Sequence, residues 1–216
     1  GGGYTGCQLA GELAQQWPQR ASSHGLPPDE TEIVLLEAGL GLLPGQPTFQ
    51  GGYAEGALQR LGVTVRTEAP VAGASADAVS LATEAVPCGL VAWTGGLAGP
   101  HPALDGLPTG DGGRIAVSQQ LHVAGFPGLW AAGDAALPAG DTPATAHEAV
   151  AQGRTAAANI AASVNDQPLR RHQPSRRGLV VSLGPDDAVG HTGPFAVAGR
   201  PAACLKRGAE RAYVEA

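Results

Sequence analysis

A chain of 216 residues with 43% hydrophobic and 15% charged side chains carries enough apolar material for a substantial buried core. Its net charge of −6 and the absence of a long basic run argue against a nucleic-acid surface. No apolar run approaches the roughly 20 residues that cross a bilayer, and no secretory leader pattern is visible. Cys7, Cys88 and Cys204 lie too far apart in sequence for a disulfide framework or a C-x-x-C metal or redox pair, so no metal site is expected. Reduced thiols in a cytoplasmic setting are the simplest consequence. The 33 glycines and 18 prolines fall between periodic apolar segments, so they read as turns and not as a low-complexity tract.

The chain opens on "GGGYTG", a glycine cluster of the kind that follows a strand and starts a helix. The next stretch, "YTGCQLAGELAQQW", spaces Leu9 and Leu13 four residues apart beside a stripe of Gly6, Ala10 and Ala14. It predicts an amphipathic helix with a small-residue face for close packing on a sheet. Pro18 should end that helix near Trp17. After a loop, "TEIVLLEAG" reads as a buried strand ending at Glu37. A helix over about Gly52 to Leu61 and a strand "VTVRT" follow. Residues 69–96 then read as a small antiparallel meander returning to a buried strand, "LVAWTGG". "GRIAVSQQLHVAGFPGLWAAGD" predicts two short strands and a buried strand "LWAAGD". Thr142 and Pro143 form a cap and first-turn pair for the helix "PATAHEAVAQGRTAAANIAASV". A polar, basic linker near "NDQPLRRHQPSRR" leads to "GLVVSLG", a hairpin and a last helix. The alternation indicates an α/β chain of two or three substructures.

Two places carry the chemistry. Gly1, Gly3 and Gly6 satisfy G-x-G-x-x-G, in which the first glycine allows a tight turn, the second a close approach of backbone to pyrophosphate, and the third close packing. The helix behind them offers free amides and a partial positive charge. The same letters also fit a glycine-rich turn before an ordinary helix. Glu37, at the end of the next strand, can accept hydrogen bonds from both ribose hydroxyls of an adenosine, or can be an exposed strand-end carboxylate. It lies about 31 residues past Gly6, where about 20 is usual, and the intervening loop absorbs the excess. Glu37 would repel a 2′-phosphate, and no Arg or Lys follows it before Arg60, which favours NAD over NADP. The second place is Gly133–Asp134, a carboxylate after an apolar run at the position where α/β sheets bind ligands, with a glycine that lets a bulky cofactor approach. A common Gly-Asp turn is the alternative. The following helix could aim its dipole at a group that becomes negative on reduction, as a flavin ring does.

"GGGYTGCQLAGELA", "EIVLLEAGLGLLP", "LVAWTGGLAGP", "GRIAVSQQLHVAGFPGLWAAGDAA", "PATAHEAVAQGRTAAANI" and "GLVVSLG…AVAGRPAACLKRGAERAYVE" stand in the order seen in the pyridine nucleotide-disulfide oxidoreductase superfamily. Within it the chain most resembles the type II NADH dehydrogenases, flavoprotein NADH:quinone oxidoreductases, over the C-terminal portion of such a protein. The resemblance implies a two-dinucleotide-binding-domain architecture. Residues 1–112 would form a Rossmann-like NAD domain lacking its first strand, with the β-meander. Residues 113–165 would be the C-terminal part of the FAD domain, and 166–216 the start of a short α+β C-terminal domain.

The resemblance further implies that Gly1, Gly3, Thr5, Gly6 and Glu37 hold NADH and that Thr94, Gly95 and Gly96 line the crossover between domains. Gly133 and Asp134 would meet the ribityl chain of FAD, and backbone at Thr145 and Ala146 the flavin pyrimidine edge. His147, Gln152 and Gln8 stand where the family places catalytic groups, with two departures. Gln8 replaces a glutamate thought to relay protons to quinone, and an amide cannot release a proton at neutral pH. In "AHEAVAQG", His147 and Ala151 replace two glutamines, while Gln152 is kept. His147 could protonate an acceptor or be a polar helix residue bonded to a neighbour. The expected activity is hydride transfer from NADH to FAD and electron transfer to a quinone or similar acceptor. The expected setting is cytoplasmic, with peripheral contact on the inner face of the membrane and a homodimer compatible with the intact protein. A pyridine nucleotide-disulfide reductase and a non-catalytic NAD-binding fragment are the alternatives.

Overall fold

A computed structural model describes residues 1–27, 31–96, 106–138, 144–174 and 178–214. The chain divides into two compact units, residues 1–96 with 177–216, and residues 97–176.

In the first unit, α1 (Tyr4–Ser23) leads by a loop to β1 (Ile33–Leu36), α2 (Thr48–Arg60) and β2 (Val63–Arg66). β1 and β2 pair in parallel from Ile33↔Val63 to Leu36↔Arg66, with α2 as the crossover between them. β1 is a short apolar run and β2 alternates valine with polar residues, and their buried members Leu35 and Val63 join Cys7, Ala10, Ala54 and Leu58 in one core. α1 approaches through its small residues: Gly6, Cys7, Ala10, Gly11 and Ala21 are buried. This is the small-residue face expected from the sequence, and Leu9 and Leu13 beside it remain 37% and 39% exposed. The reason is backbone proximity, since a Cβ on Gly11 would lie 2.6 Å from the carbonyl carbon of Leu183.

Pro18 does not end α1. The helix runs on to Ser23, because losing one backbone donor is offset where the turn beyond it buries Ala21 and where the Ser22 hydroxyl donates to the Pro18 carbonyl at 2.9 Å. α2 starts at Thr48, four residues before the expected Gly52, with Gly51 and Gly52 inside it. Gly51 earns no propensity but lets the helix touch the loop, for a Cβ there would sit 2.5 Å from the Leu42 carbonyl oxygen.

The meander forms as expected, an antiparallel sheet of β3 (Val71–Ala74), β4 (Ala78–Leu81) and β5 (Ala85–Pro87). The buried strand "LVAWTGG" does not. No described strand pairs with it, and Leu90 and Trp93 are 86% and 69% exposed. An apolar run becomes a strand only where a neighbour accepts its backbone bonds.

In the second unit, β6 (Ile115–Val117) and β7 (Ala136–Pro138) pair in parallel. Isolated bridges join Val117 to Val123 and His122 to Trp130. "LWAAGD" was expected as a strand, but it forms one bridge and then a 3-10 turn at Gly133–Ala135, and the strand begins at Ala136. Gly133 takes φ +70°, which breaks the extended run. α3 (Ala146–Val164) is capped by Thr145, whose hydroxyl accepts from the Glu148 N–H at 3.3 Å. The expected cap, Thr142 and Pro143, lies outside the described residues.

The C-terminal segment belongs to the first unit. β8 (Leu179–Ser182), β9 (Ala188–Thr192) and β10 (Phe195–Ala198) form an antiparallel sheet in the order β10-β9-β8, covered by α4 (Gly199–Val214). The Tyr53 hydroxyl of α2 donates to Asp187 Oδ1 at 2.9 Å and ties this sheet to the parallel pair.

Two glycine-to-alanine changes should act with opposite signs. Gly11→Ala forces α1 away from Leu183 and should destabilise by about 1–3 kcal/mol. Gly52→Ala, where a Cβ meets nothing within 4 Å, should stabilise by about 0.4–1 kcal/mol. Urea unfolding midpoints read both.

Candidate functional site

The glycine turn is built around one buried carboxylate. Glu37, directly after β1, is 8% exposed and accepts from the Gly2 N–H at 2.5 Å and the Gly39 N–H at 2.7 Å. The Gly2 carbonyl accepts from the Leu43 N–H at 2.8 Å and from the Cys7 thiol at 3.2 Å. Both faces of the Gly2 peptide are therefore held. Leu43 closes over the turn with φ 55° while only 2% exposed, a left-handed backbone in a non-glycine residue.

The three motif glycines do different work. Gly1 is packed on Thr94, whose hydroxyl donates to the Gly1 carbonyl at 2.9 Å. Gly6 admits no side chain, since a Cβ would lie 1.8 Å from the Gly1 carbonyl oxygen and 2.9 Å from Thr94 Oγ1. The third glycine thus lets the helix fold onto its own turn. Gly3 is the N-cap of α1, has no side-chain cap, and has nothing within 4 Å of where its Cβ would be. No acidic residue stands in the first turn, and Thr5 is exposed there. An uncapped helix N-terminus opening on free space has the donors and field for a phosphate. Thr94 is half-buried, while Gly95 and Gly96 are exposed, Gly96 with φ 112°. The structure thus brings Gly1, Gly3, Gly6, Glu37 and Thr94 to one turn.

Gln8 faces another way. It lines a cleft of about 260 Å³ with Glu12, Ser182, Lys206 and Arg207.

In the second unit, the 3-10 turn with Gly133 and Asp134 packs on α3, where Gly133 meets Ala149 and Gln152, and Thr145, Ala146 and His147 stand at the start of that helix. The Asp134 side chain is exposed, and its backbone carbonyl accepts from Arg114 Nε at 3.1 Å. Ala146 and His147 are exposed in the first turn of α3. Gln152, expected as a catalytic group, is 1% exposed. Its Oε1 accepts from the Gly133 N–H at 2.8 Å and its Nε2 donates to Glu148 Oε1 at 3.0 Å, so its amide bridges the turn and α3. Sequence reading also passed over Glu148 and His172, which are buried and only 2.5 Å apart. His172 sits in the polar stretch read as a linker, where only burial distinguishes it from its basic neighbours.

The sequence matches the family described as pyridine nucleotide-disulphide oxidoreductase over residues 1–153. The chain belongs to this family. Among curated oxidoreductases of known sequence it is 30% identical over 216 residues to the type II NADH:quinone oxidoreductase of Staphylococcus epidermidis, covering 96% of the chain and 54% of that protein. The corresponding protein of Staphylococcus aureus (strain MSSA476) is 28% identical with the same coverage. The chain thus spans about half the length of the curated relatives it matches. In fold it is similar to the structure of NDH2 from Plasmodium falciparum in complex with NADH, with TM-score 0.81 and 14% identity over 97% of this chain and 60% of that one. A ferredoxin reductase from Rhodopseudomonas palustris gives 0.62 and 21% over 88% and 45%. Both likenesses establish the shared α/β fold of this family. Among the described residues no group of His, Cys, Asp and Glu is arranged to hold a metal, and no helix is long and apolar enough to cross a membrane.

The Cys7 thiol reports on the turn. Burial, and secondarily the Glu37 charge, push it from its ordinary 9.0 up to about 12. The folded chain therefore keeps a proton that the unfolded chain releases, so stability should fall as pH rises from about 9 towards about 12. Cys7→Ala should flatten that alkaline loss in urea unfolding series, and in the parent chain a thiol reagent at pH 8 should label exposed Cys204 well before Cys7.

Proposed function

We propose that this chain forms the nicotinamide-binding part and a share of the flavin-binding part of an FAD-dependent NADH:quinone oxidoreductase. The observation that carries the reading is the Gly1–Gly6 turn, with Gly3 open, the α1 N-terminus uncapped, and the Glu37 carboxylate buried at the strand end. The likeness to type II NADH:quinone oxidoreductases supports it.

The residues fit a dinucleotide. Backbone amides at Gly3 and the first turn of α1, with Thr5, hold the diphosphate, and the absence of an acid there avoids repulsion. Each oxygen of Glu37 accepts one backbone N–H and retains a lone pair for a ribose hydroxyl. Arg66, at the end of the neighbouring strand, is engaged by Glu84 and leaves Glu37 the charge that meets the ribose, which disfavours a 2′-phosphate. Thr94, Gly95 and Gly96 border the same turn. Residues 1–112 serve the nicotinamide and residues 113–165 the flavin.

The fit to flavin rests on Gly133, whose left-handed backbone leaves its Cβ side against Ala149, and on the exposed Asp134 carboxylate, an acceptor for ribityl hydroxyls. Backbone at Thr145 and Ala146 presents the positive end of α3 to the pyrimidine edge. A flavin held there would supply a two-electron centre between NADH and a quinone, while the protein supplies orientation and electrostatics. His147 exchanges a proton with the acceptor through its ring. Gln8, an amide, can donate a hydrogen bond but cannot relay a proton. Contact with a membrane face and pairing into a homodimer accompany this reading in the intact protein.

The full-length protein should show visible flavin absorption that bleaches on adding NADH and recovers with a soluble quinone. Absence of flavin bands would overturn the reading. Glu37→Ala should weaken NADH binding by about tenfold or more, because a charge-assisted hydrogen bond contributes about 1.5–3 kcal/mol. An unchanged NADH affinity in isothermal titration would remove the ribose assignment.

A further inference from the structure

The buried polar cluster of the second unit plays no part in the binding roles above. Glu148 and His172 have side chains 2% and 3% exposed, with Oε1 and Nε2 2.5 Å apart. A carboxylate this deep requires donors, and His172 Nε2 and Gln152 Nε2 are among those it has. His172 is anchored independently, because its backbone N–H donates to the Gln119 carbonyl at 2.7 Å. On the far side of the ring, Thr155 Oγ1 lies 3.4 Å from Nδ1 while donating its own hydrogen to the Ala151 carbonyl at 3.0 Å.

This arrangement decides which way Gln152 points. Its amide oxygen must face the Gly133 N–H and its amide nitrogen the Glu148 carboxylate, since a flip would set donor against donor at one end and acceptor against acceptor at the other. Gly133 sits at φ +70°, and its N–H is held by this one side chain at 2.8 Å. The order of dependence runs from His172 to Glu148, to Gln152, to the Gly133 amide, and so to the peptide that carries Asp134.

We propose that His172 and Glu148 are positioning residues, which through Gln152 hold the Gly133–Asp134 turn in the shape that presents the Asp134 carboxylate to the flavin ribityl chain. The flavin part of this inference rests on the function proposed above. The mechanical part does not.

The test uses the full-length protein, with amide hydrogen exchange measured before flavin is added and FAD affinity measured afterwards. His172→Leu removes the imidazole donor to Glu148 and should raise exchange at the Gly133 amide about tenfold or more while leaving β6 protected. It should also weaken FAD binding about tenfold, the loss of one hydrogen bond to a charged group. His172→Gln restores a donor and should recover much of both. Gln152→Met, which keeps the volume and removes the bond to Gly133, should reproduce the exchange increase and stands in if His172→Leu fails to fold. Unchanged Gly133 exchange in a folded variant overturns the proposal, as does raised exchange with unchanged FAD affinity. If the parent protein binds no FAD, the functional reading falls and the exchange arm still decides whether the relay holds the turn.

Discussion

The glycine turn depends on the hydrogen bond from the Gly2 N–H to the buried Glu37 carboxylate. An ionised carboxylate inside a protein is tolerated only where donors replace water, and two backbone amides do so here. The same bond joins the end of β1 to the start of α1. Once Gly2 is held on its N–H side by Glu37 and on its carbonyl side by Leu43 and Cys7, the helix axis and the direction of its N-terminus are set. Gly3 is then left as the open position at the front of the helix.

The second unit repeats the physical device with different parts. A glycine with left-handed backbone lies before an exposed carboxylate, and a buried carboxylate stands behind it. In the first unit the buried acid bonds the turn directly. In the second it acts through an amide, Gln152, and is itself balanced by an imidazole. Buried polar networks of this kind are stable only when every member is satisfied, so each holds one geometry.

Much of the architecture was legible in the residues. "EIVLLEAG" is a short apolar run flanked by turn residues and "VTVRT" a β-branched alternation, and they pair in parallel around α2. The glycine turn, the position of Glu37 at the strand end and the meander were also readable from pattern. Errors came where a local rule met tertiary packing. Pro18 disfavours helix locally, yet α1 passes through it because Ala21 is buried beyond. "LVAWTGG" has the composition of a buried strand, but its backbone has no described strand beside it. The small-residue face of α1, by contrast, was readable from the sequence and is the face that packs, with Leu9 and Leu13 beside it partly exposed.

The sequence by itself determined the class of fold, the family and the two glycine turns with their acidic residues, because spacing along the chain is sufficient for motifs whose parts are local. The tertiary structure alone decided which polar groups act together. Nothing in the order of residues links His172 to Glu148, or Leu43 and Cys7 to Gly2. Those partners meet only because burial removes water and leaves each donor the one acceptor that folding has brought within reach.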